Sequence, residues 1–266
     1  MSVWKAVARN LRPSRILNPS YAKRSLHLLG AFGFNTLMRL TGCPVEFRFG
    51  QRCCISVGGV LLDYDVRRAG DVLSMDVEGP WEPTDLAFVL DHLRTGGTFY
   101  DIGANLGWYS LNVMLKTPAS AICFEPQPDR LYRNLALNRV EARVFAVALG
   151  AEEGAVSMTR EHKAANYVSE RGTLHVPLKT LDQLVAEHDL PPPTLIKLDV
   201  EGFEYSVLRG AERTLAQHQP TVLCEINGLG EARFGVQDRV LLDFLGKLGY
   251  QRQQSSCSNW LFTNPA

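Results

Sequence analysis

Long apolar runs are missing from this chain. The best stretch, Leu26 to Leu40, has fifteen residues and contains His27, Asn35 and Arg39. A membrane-crossing helix needs roughly 20 predominantly apolar residues, so none is expected. The first residues also lack the uninterrupted apolar core of a secretion signal, because charges and Pro13 break them up. Paired cysteines are missing too. Cys43, Cys53, Cys54, Cys123, Cys224 and Cys257 form no C-x-x-C unit, and the six histidines are scattered. A structural zinc site is therefore not expected. Cys123 and Cys224 lie inside apolar runs and read as small buried hydrophobes, which suits a reducing, cytoplasmic setting. Net charge is absent: 28 basic residues balance 28 acidic ones. That argues against a broadly cationic nucleic-acid binder.

The balance conceals an asymmetry. Residues 1–45 hold seven Lys or Arg and no Asp or Glu, so the rest of the chain is acidic. Residues 1–43 read as a basic helical segment and residues 44–80 as a small antiparallel β annex. From 81 to 266 strands alternate with helices, and Thr84 is the expected cap of the first helix. Expected strands are Thr98–Ile102, Ser120–Phe124, Arg143–Val147, Leu195–Val200 and Thr221–Ile226, with two short ones near 249–253 and 258–263. Short apolar strands between helices indicate an α/β fold with a mostly parallel sheet covered on both faces.

Four signals carry chemistry. Asp101-Ile102-Gly103-Ala104-Asn105-Leu106-Gly107 joins a strand to a helix, the place where open α/β sheets bind ligands. Asn105 stands where a dinucleotide fingerprint needs its second glycine, and Asp101 suits a cationic or amino-bearing ligand. Glu125 lies 22 positions beyond Gly103, at the end of the next strand, and an acid there can accept hydrogen bonds from ribose hydroxyls. Lys197 and Asp199 share a strand face by period-2 alternation. With Glu201 and Glu204 nearby, repulsion and burial could raise one carboxyl pKa for general-base work. Glu225-Ile226-Asn227 ends the fifth strand. Asp199, Glu225 and Asn227 carry oxygen ligands suited to magnesium, but a polar active-site rim looks the same, and no metal is assigned. Each signal also has a plain structural alternative: a polar turn, a solvated acid, a lysine paired to its neighbour.

These residues resemble the FkbM family of S-adenosylmethionine-dependent methyltransferases. The likeness covers roughly residues 80–230 through Trp81-Glu82-Pro83, FYDIGANLGWYS at 99–110, FEPQP at 124–128, AVALG at 146–150, VPLKTLD at 176–182, IKLDVEGFE at 196–204 and LCEIN at 223–227. It implies a Rossmann-like class I fold: a seven-stranded sheet, order 3-2-1-4-5-7-6, with the last strand antiparallel. It also implies S-adenosyl-L-methionine as cofactor. Asp101, Gly103, Ala104, Asn105 and Gly107 would line its methionine end, Glu125 and Pro126 its ribose, and Val147 and Ala148 its adenine, with Glu82 and Asp199 beside them. The implied reaction is O-methylation of a sugar, glycan or secondary metabolite. Asp199 or Glu201 would be the base, Lys197 would support it, and Glu225 would shape the acceptor pocket under a lid at 151–175. An NAD-dependent oxidoreductase and a non-catalytic nucleoside-binding or membrane-surface adaptor are the rival readings. The basic head reads first as solvated helices. Peripheral contact of residues 1–41 with the inner face of a membrane, and a homodimer contact, are its other readings.

Overall fold

The computed structural model describes residues 53–64, 82–159, 166–256 and 258–264. The expected basic helices of 1–43 lie outside these residues, as do much of the annex and positions 160–165 of the expected lid. The chain divides into two compact units with their boundary at Pro83–Thr84. Of the first, the described part is an antiparallel hairpin. Strands β1 (Cys53–Val57) and β2 (Val60–Tyr64) pair around Gly58-Gly59, both at positive φ.

The second unit opens on helix α1 (Pro83–His92). Pro83 takes the first helical position, where its missing N–H costs nothing. Thr84 is therefore inside the helix and not its cap. Strands β3 (Thr98–Ile102), β4 (Ser120–Phe124), β5 (Arg143–Phe145), β9 (Leu195–Leu198), β10 (Thr221–Glu225), β11 (Gln251–Gln254) and β12 (Asn259–Thr263) form one sheet. Its edge-to-edge order is β5-β4-β3-β9-β10-β12-β11. Counting this sheet's strands alone in chain order gives 3-2-1-4-5-7-6. The pairs from β5 to β10 are parallel, and β12 runs antiparallel to both neighbours.

The described residues hold more strands than the expected seven. Besides the hairpin, β6 (Ala148–Leu149), β7 (Gly154–Met158) and β8 (Leu174–Lys179) form a separate sheet in the order β6-β8-β7. The expected strand Arg143–Val147 thus ends at Phe145, and the chain changes sheets at Val147. The polar, β-leaning stretch after residue 150 supplies the antiparallel β7–β8 pair.

Helices cover both faces, as continuous apolar strands require. One face buries Tyr100, Ile122, Ile196, Leu198 and Val222 against Leu181 and Leu184 of α4 (Leu181–His188), Val207 of α5 (Glu204–Arg209), Leu215 of α6 (Glu212–His218) and Leu241 of α8 (Asp238–Lys247). On β3 and β4 packs α2 (Trp108–Lys116), which in turn touches α3 (Asp129–Asn138). Asp85 of α1 is fully buried. It accepts hydrogen bonds from Ser255 Oγ and from Asn259 Nδ2, the latter at 2.8 Å, which ties the helix to the antiparallel edge. Among the described residues no helix is long and apolar enough to cross a membrane.

Candidate active site

The turn after β3 is compressed against its neighbours. Gly103 has φ +81°, and a Cβ there would lie 1.9 Å from the Asp199 carbonyl oxygen. Its N–H donates to the Phe124 carbonyl at 2.9 Å. Glycine is thus required here by the approach of β9, beyond any need of a ligand. At Gly107 (φ +87°) a Cβ would meet Leu131 at 2.6 Å, so the second glycine sets the packing of α2 on α3. Between them, Asn105 adopts φ +50°. Its N–H points to Glu125 Oε2 at 2.8 Å, and Gln127 N–H donates to Oε1 at 2.8 Å. The half-buried Glu125 carboxylate is thereby fixed at the end of β4, one backbone donor on each oxygen. Burial pushes its pKa up, against the pull of those two donors.

Asp101 was expected to face the cofactor. Instead its carboxylate is 2% exposed, and Oδ2 accepts from Ser110 N at 3.2 Å and Ser110 Oγ at 2.5 Å. It anchors the first turn of α2 to the strand. Burial raises its pKa, while the Ser110 hydrogen bonds and the Lys197 charge oppose the rise. Val147 is half-buried against the main core, but Ala148 is buried with Met158 and Val176 in the second sheet. Ala104 is buried and Pro126 half-buried beside the turn. Glu82 belongs to the first compact unit, at φ +46°.

Strand β9 places a lysine in the middle of the sheet. Lys197 is 4% exposed, beside Asp101 in register. Its Nζ bonds Asp199 Oδ2 at 2.8 Å and lies 4.8 Å from the Tyr109 ring centroid. The strand ends at Leu198, two residues before the expected Val200, so Asp199 stands in the loop above it. The Asp199 and Glu225 side chains hydrogen-bond one another. Burial and the adjacent Asp199 charge push Glu225 up to about 8. Burial pushes Asp199 up as well, but Lys197 and the Glu225 hydrogen bond outweigh it and hold Asp199 below its ordinary value. Of this pair the raised carboxyl is Glu225 and not Asp199, and burial also raises Glu204 in the loop after β9. One proton shared between two close carboxyls is the expected result of like charges in a partly dry site.

Glu201 is turned to another partner. At φ +61°, it accepts from Arg233 Nη1 through its carbonyl oxygen and through Oε2, the latter at 3.2 Å. Arg233 is on α7 (Leu229–Phe234), and its guanidinium lies 3.8 Å from the Tyr167 ring centroid. Glu204 Oε1 accepts from Val200 N and Gly202 N, at 3.1 and 3.0 Å, and so shapes the loop. The remaining oxygen donor considered for a cation, Asn227 Oδ1, accepts from Leu229 N at 3.1 Å. A lysine ammonium already occupies Asp199 Oδ2, and among the described residues no three His, Cys, Asp or Glu side chains gather as a metal site. Arg233, Tyr109 and Ser110 carry no local signal that would have found them. Their partners are 9 to 88 residues away in sequence.

The sheet order, with the glycine turn and the carboxylate at the end of β4, is that of the class I methyltransferase fold. The family model described as "Methyltransferase FkbM domain" matches residues 101–252, more than half of the chain. The protein belongs to the FkbM methyltransferase family. It is 30% identical over 166 residues to hexuronic acid methyltransferase AglP of Haloferax volcanii, covering 57% of this chain and 67% of AglP. It is also 30% identical over 170 residues to methyltransferase sdnD of Sordaria araneosa, covering 48% of this chain and 66% of sdnD. A solved structure of methyltransferase FkbM from Methylobacillus flagellatus KT matches with TM-score 0.45 and 18% identity, over 64% of this chain and 44% of that one. The chain thus spans about two thirds of the two curated relatives.

Proposed function

We infer that the protein transfers a methyl group from S-adenosylmethionine to a hydroxyl oxygen on a sugar, glycan or secondary metabolite. The observation that carries this reading is the Glu125 carboxylate, held by two backbone N–H groups beside the Gly103 turn. A carboxylate has about four acceptor positions. Two are filled from the backbone, which leaves one on each oxygen for a pair of neighbouring ribose hydroxyls. A nucleoside fits this arrangement. Glu125 would hold the ribose, the backbone of 103–107 the methionine end, and Val147 the edge of the adenine. When bound, the cofactor supplies a methyl group already activated by its sulfonium.

The chain's own residues then have two tasks. They align the acceptor oxygen, which can contribute about 7–11 kcal/mol, and they receive its proton. Asp199 suits the second task. Lys197 and the proton on Glu225 keep it ionised. A carboxylate held low is a weak base, but the acceptor oxygen becomes strongly acidic as its bond to carbon forms, so a weak base suffices for late proton transfer. Glu201 is committed to Arg233 and is the poorer candidate. The sugar acceptor draws support from the name of AglP, which speaks of a hexuronic acid.

The test is methyl transfer by Asp199→Asn, in protein that still binds S-adenosylhomocysteine. Transfer should fall about 10²–10⁴-fold, the usual worth of a general base. Wild-type rates in that variant would remove Asp199 from the role. The acceptor itself is sought by comparing glycan and metabolite masses with and without the gene for the gain of one methyl group.

A further inference from the structure

The arrangement around Arg233 is not used by the chemistry above. Three separate segments converge on it: the loop after β9 through Glu201, the helix after β10 that carries Arg233 itself, and Tyr167. Tyr167 is in turn fixed by backbone pairing with Thr159, which donates to the Tyr167 carbonyl at 2.9 Å, and by its own N–H donating to Thr159 Oγ1 at 3.1 Å. The Arg233 side chain is 23% exposed. A guanidinium stacked on an aromatic face and clamped at one corner is already ordered, so little further entropy is lost when it binds.

Its hydrogen-bonding capacity is only partly spent. Arg233 has five N–H donors in a planar fork. Both contacts to Glu201 use Nη1. Among the described residues nothing accepts from Nε or Nη2. Those two nitrogens form an edge whose parallel N–H bonds match the two oxygens of a carboxylate. Glu201 already offsets the formal charge of Arg233, so the attraction offered to a further anion is that of the unused N–H pair. A phosphate dianion would meet one cation and one carboxylate here, and a singly charged group is the better match.

We propose that Arg233, stacked on Tyr167 and clamped by Glu201, is the receptor for a carboxylate on the acceptor, so that this enzyme selects acidic sugars over neutral ones. The assignment rests on the sugar-methylation reading and narrows it. Arg233 contributes specificity by positioning the acceptor; the methyl transfer itself falls to other groups.

The experiment is calorimetric titration of the full chain, saturated with S-adenosylhomocysteine, using methyl glucuronide, methyl glucoside and glucose 6-phosphate as probes. The uronate should bind at least about tenfold more tightly than the neutral glucoside, the scale of one charge-assisted hydrogen-bond pair, and more tightly than the phosphate. Arg233→Gln should abolish that preference while S-adenosylhomocysteine affinity stays as in the wild type. Arg233→Lys keeps the charge and loses the fork, and should retain only part of the preference. Thermal melting of both variants identifies any that fail to fold, and the lysine variant then decides. Equal binding of uronate and glucoside, absence of binding by all three probes, tighter binding of the phosphate, or an intact preference in a folded Arg233 variant would each overturn the assignment. A uronate that binds through Arg233 but gains no methyl group would instead count against the sugar-methylation reading alone.

Discussion

At the ends of β3 and β4 the donors that fix the Glu125 carboxylate come from the backbone. Asn105 and Gln127 give their N–H groups to Glu125, and Gly103 gives its own to Phe124. At the ends of β9 and β10 the charged side chains hold one another: Lys197 to Asp199, Asp199 to Glu225, Arg233 to Glu201. In the first arrangement the donors are main-chain groups, independent of which side chains stand at Asn105 and Gln127. The second lets each side chain be exchanged separately. It also stores a protonation state, which backbone groups cannot do.

The contrast can be broken first at its most rigid point. Gly103→Ala would set a Cβ against the Asp199 carbonyl at a positive φ, and should cost about 3 kcal/mol or more of stability. Denaturant melting would show it; a near-neutral variant would mean that the two halves of the site are less tightly joined than the geometry requires. Asp199→Ala comes next, since it leaves the Lys197 ammonium buried without its carboxylate. With Asp199 partly exposed, a loss of about 2–3 kcal/mol is expected, below the 3–5 kcal/mol of a fully buried pair. The pair Lys197→Met with Asp199→Leu should recover most of that stability and none of the methyl transfer. Recovery of both would make the ion pair a structural feature only.

Much of the backbone half was legible in the sequence, and much of the side-chain half was not. The glycine turn and Glu125 are local: strand, turn and acid follow one another within 25 residues, 101 to 125. Lys197 and Asp199 were legible for the same reason, two residues apart on one strand. What the residues could not tell is which carboxyl would carry the raised pKa, because that depends on the parallel pairing of β9 with β10, which sets Glu225 against Asp199. Asp101 looked like a ligand contact because acids at strand ends so often are. Its capture by Ser110 depends on how α2 docks, and nothing in the motif records that. The end of the strand at Phe145 escaped because Ala146 and Val147 are as apolar as the residues before them.

Glu225 offers a subtler perturbation. Its carboxyl is pushed up from 4.5 to about 8, so the folded chain keeps a proton that the unfolded chain has already lost. Stability should therefore fall as pH rises from about 4.5 to about 8. Asp199, held low, acts in the opposite sense, but only at more acid pH. Glu225→Gln donates a hydrogen bond to Asp199 at any pH. It should flatten this part of the stability profile and carry methyl transfer further into the alkaline range. Melting temperatures measured from pH 5 to 9 for both proteins test this; parallel curves would show that Glu225 does not hold the shared proton.

The division of labour is tested most directly by titrating S-adenosylhomocysteine into the wild type, Glu125→Ala and Glu225→Gln at one pH. Glu125→Ala should bind at least about tenfold more weakly, having lost charge-assisted hydrogen bonds, while Glu225→Gln should match the wild type. Equal affinity in Glu125→Ala, or a loss confined to Glu225→Gln, would contradict a cofactor seat at the ends of β3 and β4.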